Sequence, residues 1–124
     1  MILGIGIDVV HVYRLKRWEK IPGLLQRFFH DEELRVALPK GEAGILSLAA
    51  RFAAKEAFGK ALGTGLHGFS LKEMAVMNDE LGKPNFHLYG RAQESLEQMG
   101  GKHVFVSLSH ERDNALAMVV IEGD

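Results

Sequence analysis

The segment Glu42–Leu62 constrains this chain more than any other. Ala, Leu, Phe, Lys and Glu dominate it, and Gly63-Thr64-Gly65 follows as a glycine stop, so the sequence predicts one uninterrupted helix. At ~1.5 Å per residue its axis runs about 30 Å, enough to cross a small domain. A chain of 124 residues has room for one domain, residues 1–124, and its other elements must pack on this helix.

The flanking segments supply those elements. Residues 2–10 are apolar and β-branched, with Gly4 and Gly6 admitting a second backbone, and predict a buried strand. Residues 11–20 carry Val12, Leu15 and Trp18 on one stripe beside Arg14 and Arg17, as a short amphipathic helix does. Pro22 opens a predicted helix over 23–29, and Asp31 is the expected N-cap of one over 32–38 that Pro39 stops. Past the long helix, 71–77 and 85–89 read as a hairpin turned at Leu81-Gly82-Lys83-Pro84, and 91–99 as a helix closed by Gly100-Gly101. Residues 103–109 and 115–121 are strongly β-prone, with 110–114 as the turn. Strands and helices that come in runs favour an α+β domain over a doubly wound one.

Composition removes several kinds of chemistry. There is no cysteine, which excludes a disulfide scaffold, thiolate-bound zinc, an iron–sulfur cluster and a cysteine nucleophile. No apolar run approaches a membrane span. The first residues lack a basic region and are broken by Gly and Asp, so they read as a strand and not a signal peptide, and a cytoplasmic location is expected. Residues 1–65 carry 10 basic and 7 acidic side chains, and residues 66–124 carry 5 and 9. No Lys/Arg block is dense enough to follow a phosphate backbone, so the basic half suits an acidic protein and not nucleic acid.

Four places could carry chemistry. Asp8 lies in an apolar strand, where a carboxylate needs a cation or backbone donors; it either caps the next turn or binds a ligand. Glu56 and Lys60 stand at i and i+4 behind Phe52, either as a solvated ion pair or facing another surface across small residues. Asp8 and Glu56, if they converge, offer the oxygen donors of an open Mg²⁺ site, with Lys60 as a point charge for phosphate. Gly63-Thr64-Gly65 is either a plain helix stop or a phosphate contact, and His110 at a strand end is either idle or a proton carrier.

Three motifs taken together resemble a known family: Gly4-Ile5-Gly6-Ile7-Asp8-Val9-Val10, Arg51-Phe52-Ala53-Ala54-Lys55-Glu56-Ala57-Phe58-Gly59-Lys60-Ala61-Leu62-Gly63-Thr64-Gly65, and Val106-Ser107-Leu108-Ser109-His110 before Ala115-Leu116-Ala117. In this order and spacing they are similar to the holo-acyl-carrier-protein synthases, the short class of 4′-phosphopantetheinyl transferases. The resemblance implies a small antiparallel sheet packed on a long central helix. It also implies Mg²⁺-dependent transfer of phosphopantetheine from coenzyme A to a serine of an acyl carrier protein in fatty acid and lipid biosynthesis, leaving adenosine 3′,5′-bisphosphate.

Carried over residue by residue, the resemblance makes Asp8 and Glu56 the metal ligands and Glu56, Lys60 and His110 the catalytic set. Asp8, Arg51, Lys60, Gly63, Gly65, Pro84, Ser109 and His110 would contact coenzyme A. Arg14 and Arg17 would dock the acidic carrier. The class is trimeric, with the Asp and Glu-Lys set from one protomer and the histidine from its neighbour. Glu111 departs from the pattern, since many relatives place Ser or Thr after the histidine. The alternative from a different class is a non-catalytic module of this architecture that binds a nucleotide or a carrier protein.

Overall fold

A computed structural model describes residues 1–124. In chain order the elements are β1 (Ile2–His11), α1 (Val12–Glu19), α2 (Leu25–Phe28), α3 (Asp31–Ala37), α4 (Glu42–Leu62), β2 (Met74–Asn78), β3 (Pro84–Leu88), α5 (Gly90–Gln98), β4 (Gly101–His110) and β5 (Asn114–Gly123). Single 3₁₀ turns occupy Leu38–Lys40 and Leu71–Glu73. β1, β5 and β4 form one antiparallel sheet in that order, and β2 with β3 forms a separate antiparallel hairpin. The α+β expectation holds, with α4 as the central helix.

Small residues set the distance between α4 and the sheet. Ala53, Ala57 and Ala61 are buried on the helix, against Val10, Ala115, Ala117, Val119 and Ile121 from the strands. A Cβ on Gly4 or Gly6 would overlap the carbonyl oxygens of Ala61 and Ala57, so β1 lies directly on the helix backbone, as the glycines predicted. On the other flanks Trp18, Phe28 and Phe52 form an aromatic cluster with ring centroids 4.9–6.0 Å apart that ties α1 and α2 to α4.

Strand register decides which side chains reach α4. Gly6, Val10, Ala115, Ala117 and Val119 face it, and the period of two puts Asp8 between Gly6 and Val10 on the same face. Across the sheet Asp8 is level with Ala117 and Leu108, and Val10 with Ala115 and His110. Asp8 and His110 therefore share one face of the sheet and stand on its two opposite edge strands.

The structure corrects several expectations. β1 is not buried on both sides: Ile5, Ile7 and Val9 are 58, 58 and 55% exposed on its outer face. The helix after Pro22 shrinks to Leu25–Phe28, because residues 22–24 are turns around a positive φ at Gly23. His30, not Asp31, caps α3: its Nδ1 accepts from Glu32 N–H while Glu33 Oε1 accepts from His30 N–H. Leu71 starts a 3₁₀ turn, so β2 begins only at Met74.

Candidate active site

β1 and the C-terminal half of α4 build the first half of the site. Lys60 Nζ donates to Asp8 Oδ1 at 3.0 Å and to Ile7 O at 2.9 Å. Asp8 is thus neither a turn cap nor an unpaired charge, and Lys60 reaches across to the strand instead of pairing with Glu56 one turn back. Glu56 is half-buried, and burial raises its carboxyl above the ordinary glutamate value; the Asp8 charge adds to the rise, while Arg14 and Lys60 oppose it. The Asp8 charge thus works against ionisation of Glu56.

That repulsion tests whether a divalent cation suits these residues. Asp8 and Glu56 supply only oxygen donors, and their mutual field is the one a cation would relieve. No group of three or more His, Asp or Glu side chains gathers anywhere in the chain, so the protein offers no closed metal cage. Two carboxylates with the remaining positions open match Mg²⁺, which keeps waters and takes substrate phosphates. The residues fit the ion.

Arg14 borders this half. It is exposed, with its guanidinium carbon 5.1 Å from the Trp18 ring and 5.5 Å from the Phe52 ring, so α1 holds a cation beside Glu56. Arg17 lies exposed one turn further along α1. Gly63 and Gly65 both take positive φ, and their N–H groups donate to Lys60 O and Gly59 O, each at 3.0 Å. Those amides are spent on stopping the helix, so a phosphate would have to displace them.

A second group of predicted residues meets at the other edge of the sheet. Arg51, Pro84 and His110 line a cavity of about 280 Å³ with Ser47, Asn78 and Leu108. Arg51 is fixed there by bonds to Val76 O, Ser47 Oγ and Asn78 Oδ1 at 2.8, 2.6 and 3.1 Å. Burial holds its guanidinium below the ordinary arginine value, with Glu33 partly opposing. Ser109 points to the opposite side of β4, in a hollow with Ile7, Leu116 and Met118. Glu111 closes the turn to β5, its N–H donating to Asn114 O and its Oε1 accepting from Asn114 Nδ2.

The two halves do not meet within one chain. Asp8 sits on β1 and His110 on β4 with β5 between them, a spacing of about 10 Å at ~4.8 Å per strand. No hydrogen bond or ion pair joins Asp8, Glu56 or Lys60 to the cavity, and none of the three lines it. Sequence reasoning had missed Ser47, which lies one helical turn before Arg51 on α4, and Asn78, which the hairpin's docking brings to it. It had also passed over Lys55 and Glu33, an ion pair at 2.6 Å that is fully buried.

Comparison with known proteins agrees with this architecture. The model of the 4′-phosphopantetheinyl transferase superfamily matches residues 4–119. The chain is 54% identical over 123 residues to a holo-[acyl-carrier-protein] synthase of Treponema denticola, covering 99% of this chain and all of that protein. It superposes on the crystal structure of the holo-[acyl-carrier-protein] synthase from Neisseria meningitidis with a TM-score of 0.86 at 42% identity, covering 98% of this chain and 99% of that one. A third, the synthase of Bacillus anthracis in complex with CoA (3′,5′-ADP), gives 0.82 at 34% identity, covering 100 and 99%. With one family covering nearly its whole length, and with Asp8, Glu56 and Lys60 gathered where β1 crosses α4, the chain belongs to the 4′-phosphopantetheinyl transferase superfamily.

Proposed function

We propose that this chain is an enzyme that moves 4′-phosphopantetheine from coenzyme A to a serine hydroxyl of an apo acyl carrier protein. The observation that carries the reading is the Asp8–Lys60 contact with Glu56 beside it, a cation and two carboxylates on a chain similar along its length to holo-acyl-carrier-protein synthases. In the reaction the serine oxygen forms a bond to the β-phosphorus of the pyrophosphate, the phosphoanhydride bond breaks, and adenosine 3′,5′-bisphosphate leaves.

Asp8 and Glu56 would hold Mg²⁺. When bound, the ion neutralises charge on the pyrophosphate oxygens. Lys60, already poised at the carboxylate edge, places an ammonium where the leaving phosphate gathers charge. Glu56, or a water beside it, takes the serine proton. Arg51 and His110 hold the adenosine bisphosphate end in the cavity that Pro84 borders, and Gly63 and Gly65 flank the pantetheine arm. Arg14 and Arg17 meet acidic residues of the carrier.

The active form is a homotrimer with each site shared between protomers. Two things support this: the separation of the Asp8 and His110 halves, and the apolar outer face of the sheet. Ile7 is level with Met118 and Ser107 there, and Ile5 with Val120 and Phe105. Phe105 and Met118 are 48 and 44% exposed, next to the exposed row on β1, and a monomer rarely leaves such a patch uncovered. Ser109 lies on this outer face and would reach a site only across that interface. No helix is long and apolar enough to cross a membrane. The proposed setting is the cytoplasm, with an acyl carrier protein as the acceptor.

Incubation with coenzyme A, Mg²⁺ and an apo carrier protein, followed by intact-mass analysis of the carrier, tests the reading. A gain of about the mass of phosphopantetheine is expected, and an unchanged carrier under every divalent metal would refute it.

A further inference from the structure

The outer edge of the β2–β3 hairpin is not open, although no third strand covers it. Val76 donates its N–H to Glu33 Oε2 at 3.0 Å and accepts at its C=O from Arg51 Nε at 2.8 Å. Two charged side chains, from α3 and α4, thus occupy the place a strand would take. A two-stranded hairpin is marginal alone, so these edge bonds, together with the buried Met74 and Val76 side chains and the Phe86–Phe58 ring contact, fix where the hairpin sits.

Behind that edge lies a fully satisfied polar network. Glu33 and Lys55 are 1 and 0% exposed. Lys55 Nζ donates to Glu33 Oε1 at 2.6 Å, Phe28 O at 2.9 Å and Leu71 O at 3.1 Å, one acceptor for each of its three protons. It also lies 4.9 Å from the centre of the Phe29 ring. Glu33 Oε1 accepts in addition from His30 N–H. No buried side-chain nitrogen or oxygen lacks a partner.

Stability alone does not account for such a pair, since apolar residues of equal volume serve a core as well or better. What apolar packing lacks is direction. This network makes directional bonds to α2, the α3 cap, the turn before β2 and β2 itself, all from two side chains.

We propose that Glu33 and Lys55 are positioning residues for the co-substrate cavity, docking the hairpin edge on α4 and so fixing Asn78, Gly82 and Pro84 against Arg51 and His110. The inference rests on the transferase reading above. Arg51 is the mechanical link, because it bonds Val76 O and Asn78 Oδ1 at once. A shift of about 1 Å in a substrate-holding wall can weaken function as much as a hundredfold.

The test is Glu33→Gln and Lys55→Met, assayed at a temperature where circular dichroism shows each variant folded. In Glu33→Gln one carboxylate oxygen becomes an NH₂ group, which must face either Val76 N–H or the Lys55 and His30 donors. The expected result is a KM for coenzyme A raised about tenfold or more with kcat within about threefold, and adenosine 3′,5′-bisphosphate binding weakened equally by calorimetry. Folded variants with wild-type KM and wild-type bisphosphate binding would overturn the proposal, as would a fall in kcat with KM unchanged. Should either variant not fold, Glu33→Asp and Lys55→Arg, which keep the charges and alter reach, face the same criteria. A wild-type chain that neither modifies a carrier nor binds the bisphosphate would overturn the functional reading and this proposal together, whereas an active wild type with unaffected variants would overturn only the positioning.

Discussion

Lys60 Nζ stands 3.0 Å from Asp8 Oδ1, joining the end of α4 to the middle of β1 across 52 positions of sequence. The helical neighbour Glu56 is left to face Asp8 without a hydrogen-bonded partner of its own, and both burial and that neighbour raise its carboxyl. The lysine therefore offsets charge on the strand side, while Arg14 and Lys60 only partly oppose the rise at the glutamate.

Replacing Lys60 by Met separates stability from activity. The Lys60 side chain is 55% exposed, so its ion pair contributes about 1 kcal/mol or less to folding. In the proposed reaction its charge acts at the leaving phosphate, where loss of one stabilising group lowers kcat about 10²- to 10³-fold. Urea unfolding beside steady-state kinetics checks this, and an equal effect on both would contradict it.

Glu56 gives a pH-dependent prediction with a definite sign. Its folded value lies above 4.5, so between 4.5 and that value the folded chain binds more protons than the unfolded one. Stability from this group is greatest in acid and falls as pH rises through the window. Glu56→Gln removes the repulsion, so the metal-free variant should melt above the wild type near pH 7.5 and level with it near pH 4. Solvent screening of this part-exposed group limits the gain to about 1 kcal/mol, or about 4 °C. Saturating Mg²⁺ should raise the wild-type Tm and leave that of Glu56→Gln unmoved, which differential scanning fluorimetry reads directly.

Gly6 carries the registry between strand and helix. An alanine there would drive its methyl into the Ala57 carbonyl, one turn before Lys60, with no flexible side chain able to yield. Gly6→Ala should lose about 1–3 kcal/mol of stability in chemical denaturation and lower activity beyond that loss, because Asp8 moves with the strand. The same substitution at Gly23, which has nothing within 4 Å, strains only the backbone and should leave activity intact.

How far the sequence revealed this arrangement depends on whether the determining contacts are local. α4 was legible to the residue because its composition lies within it and its glycine stop directly follows it. The strands β4 and β5 were legible from their β-branched runs, and the close approach at Gly4 and Gly6 from the missing side chains. The Glu33–Lys55 pair was not, since Lys55 stands beside Glu56 in a helix where local rules point to the surface, and its partner is 22 residues away. His30 displaced Asp31 as the cap because Glu33, three residues on, completes a reciprocal pair that single-residue preference ignores. The exposed face of β1 was misjudged for another reason. An apolar strand reads the same whether its own chain or another copy covers it, and Ile5, Ile7 and Val9 are bare in the single chain.

That bare face leads to the last prediction. If the sheet's outer surface joins protomers and each site takes Asp8 from one chain and His110 from the next, two inactive variants can repair one another. Asp8→Ala retains a good His110, and His110→Ala retains a good Asp8. Mixed in equal amounts after unfolding and refolding together, the protomers assort at random, and about one interface in four brings an intact Asp8 to an intact His110. The mixture should therefore recover about a quarter of wild-type activity while each variant alone stays near background. Ile7→Glu, placed level with Met118 on the proposed interface, should give monomers by light scattering where the wild type gives trimers, and abolish the recovery when introduced into both variants. Recovery absent from a mixture that is still trimeric would mean that each site is completed within one chain, with the co-substrate itself spanning from Asp8 on β1 to His110 on β4 across β5.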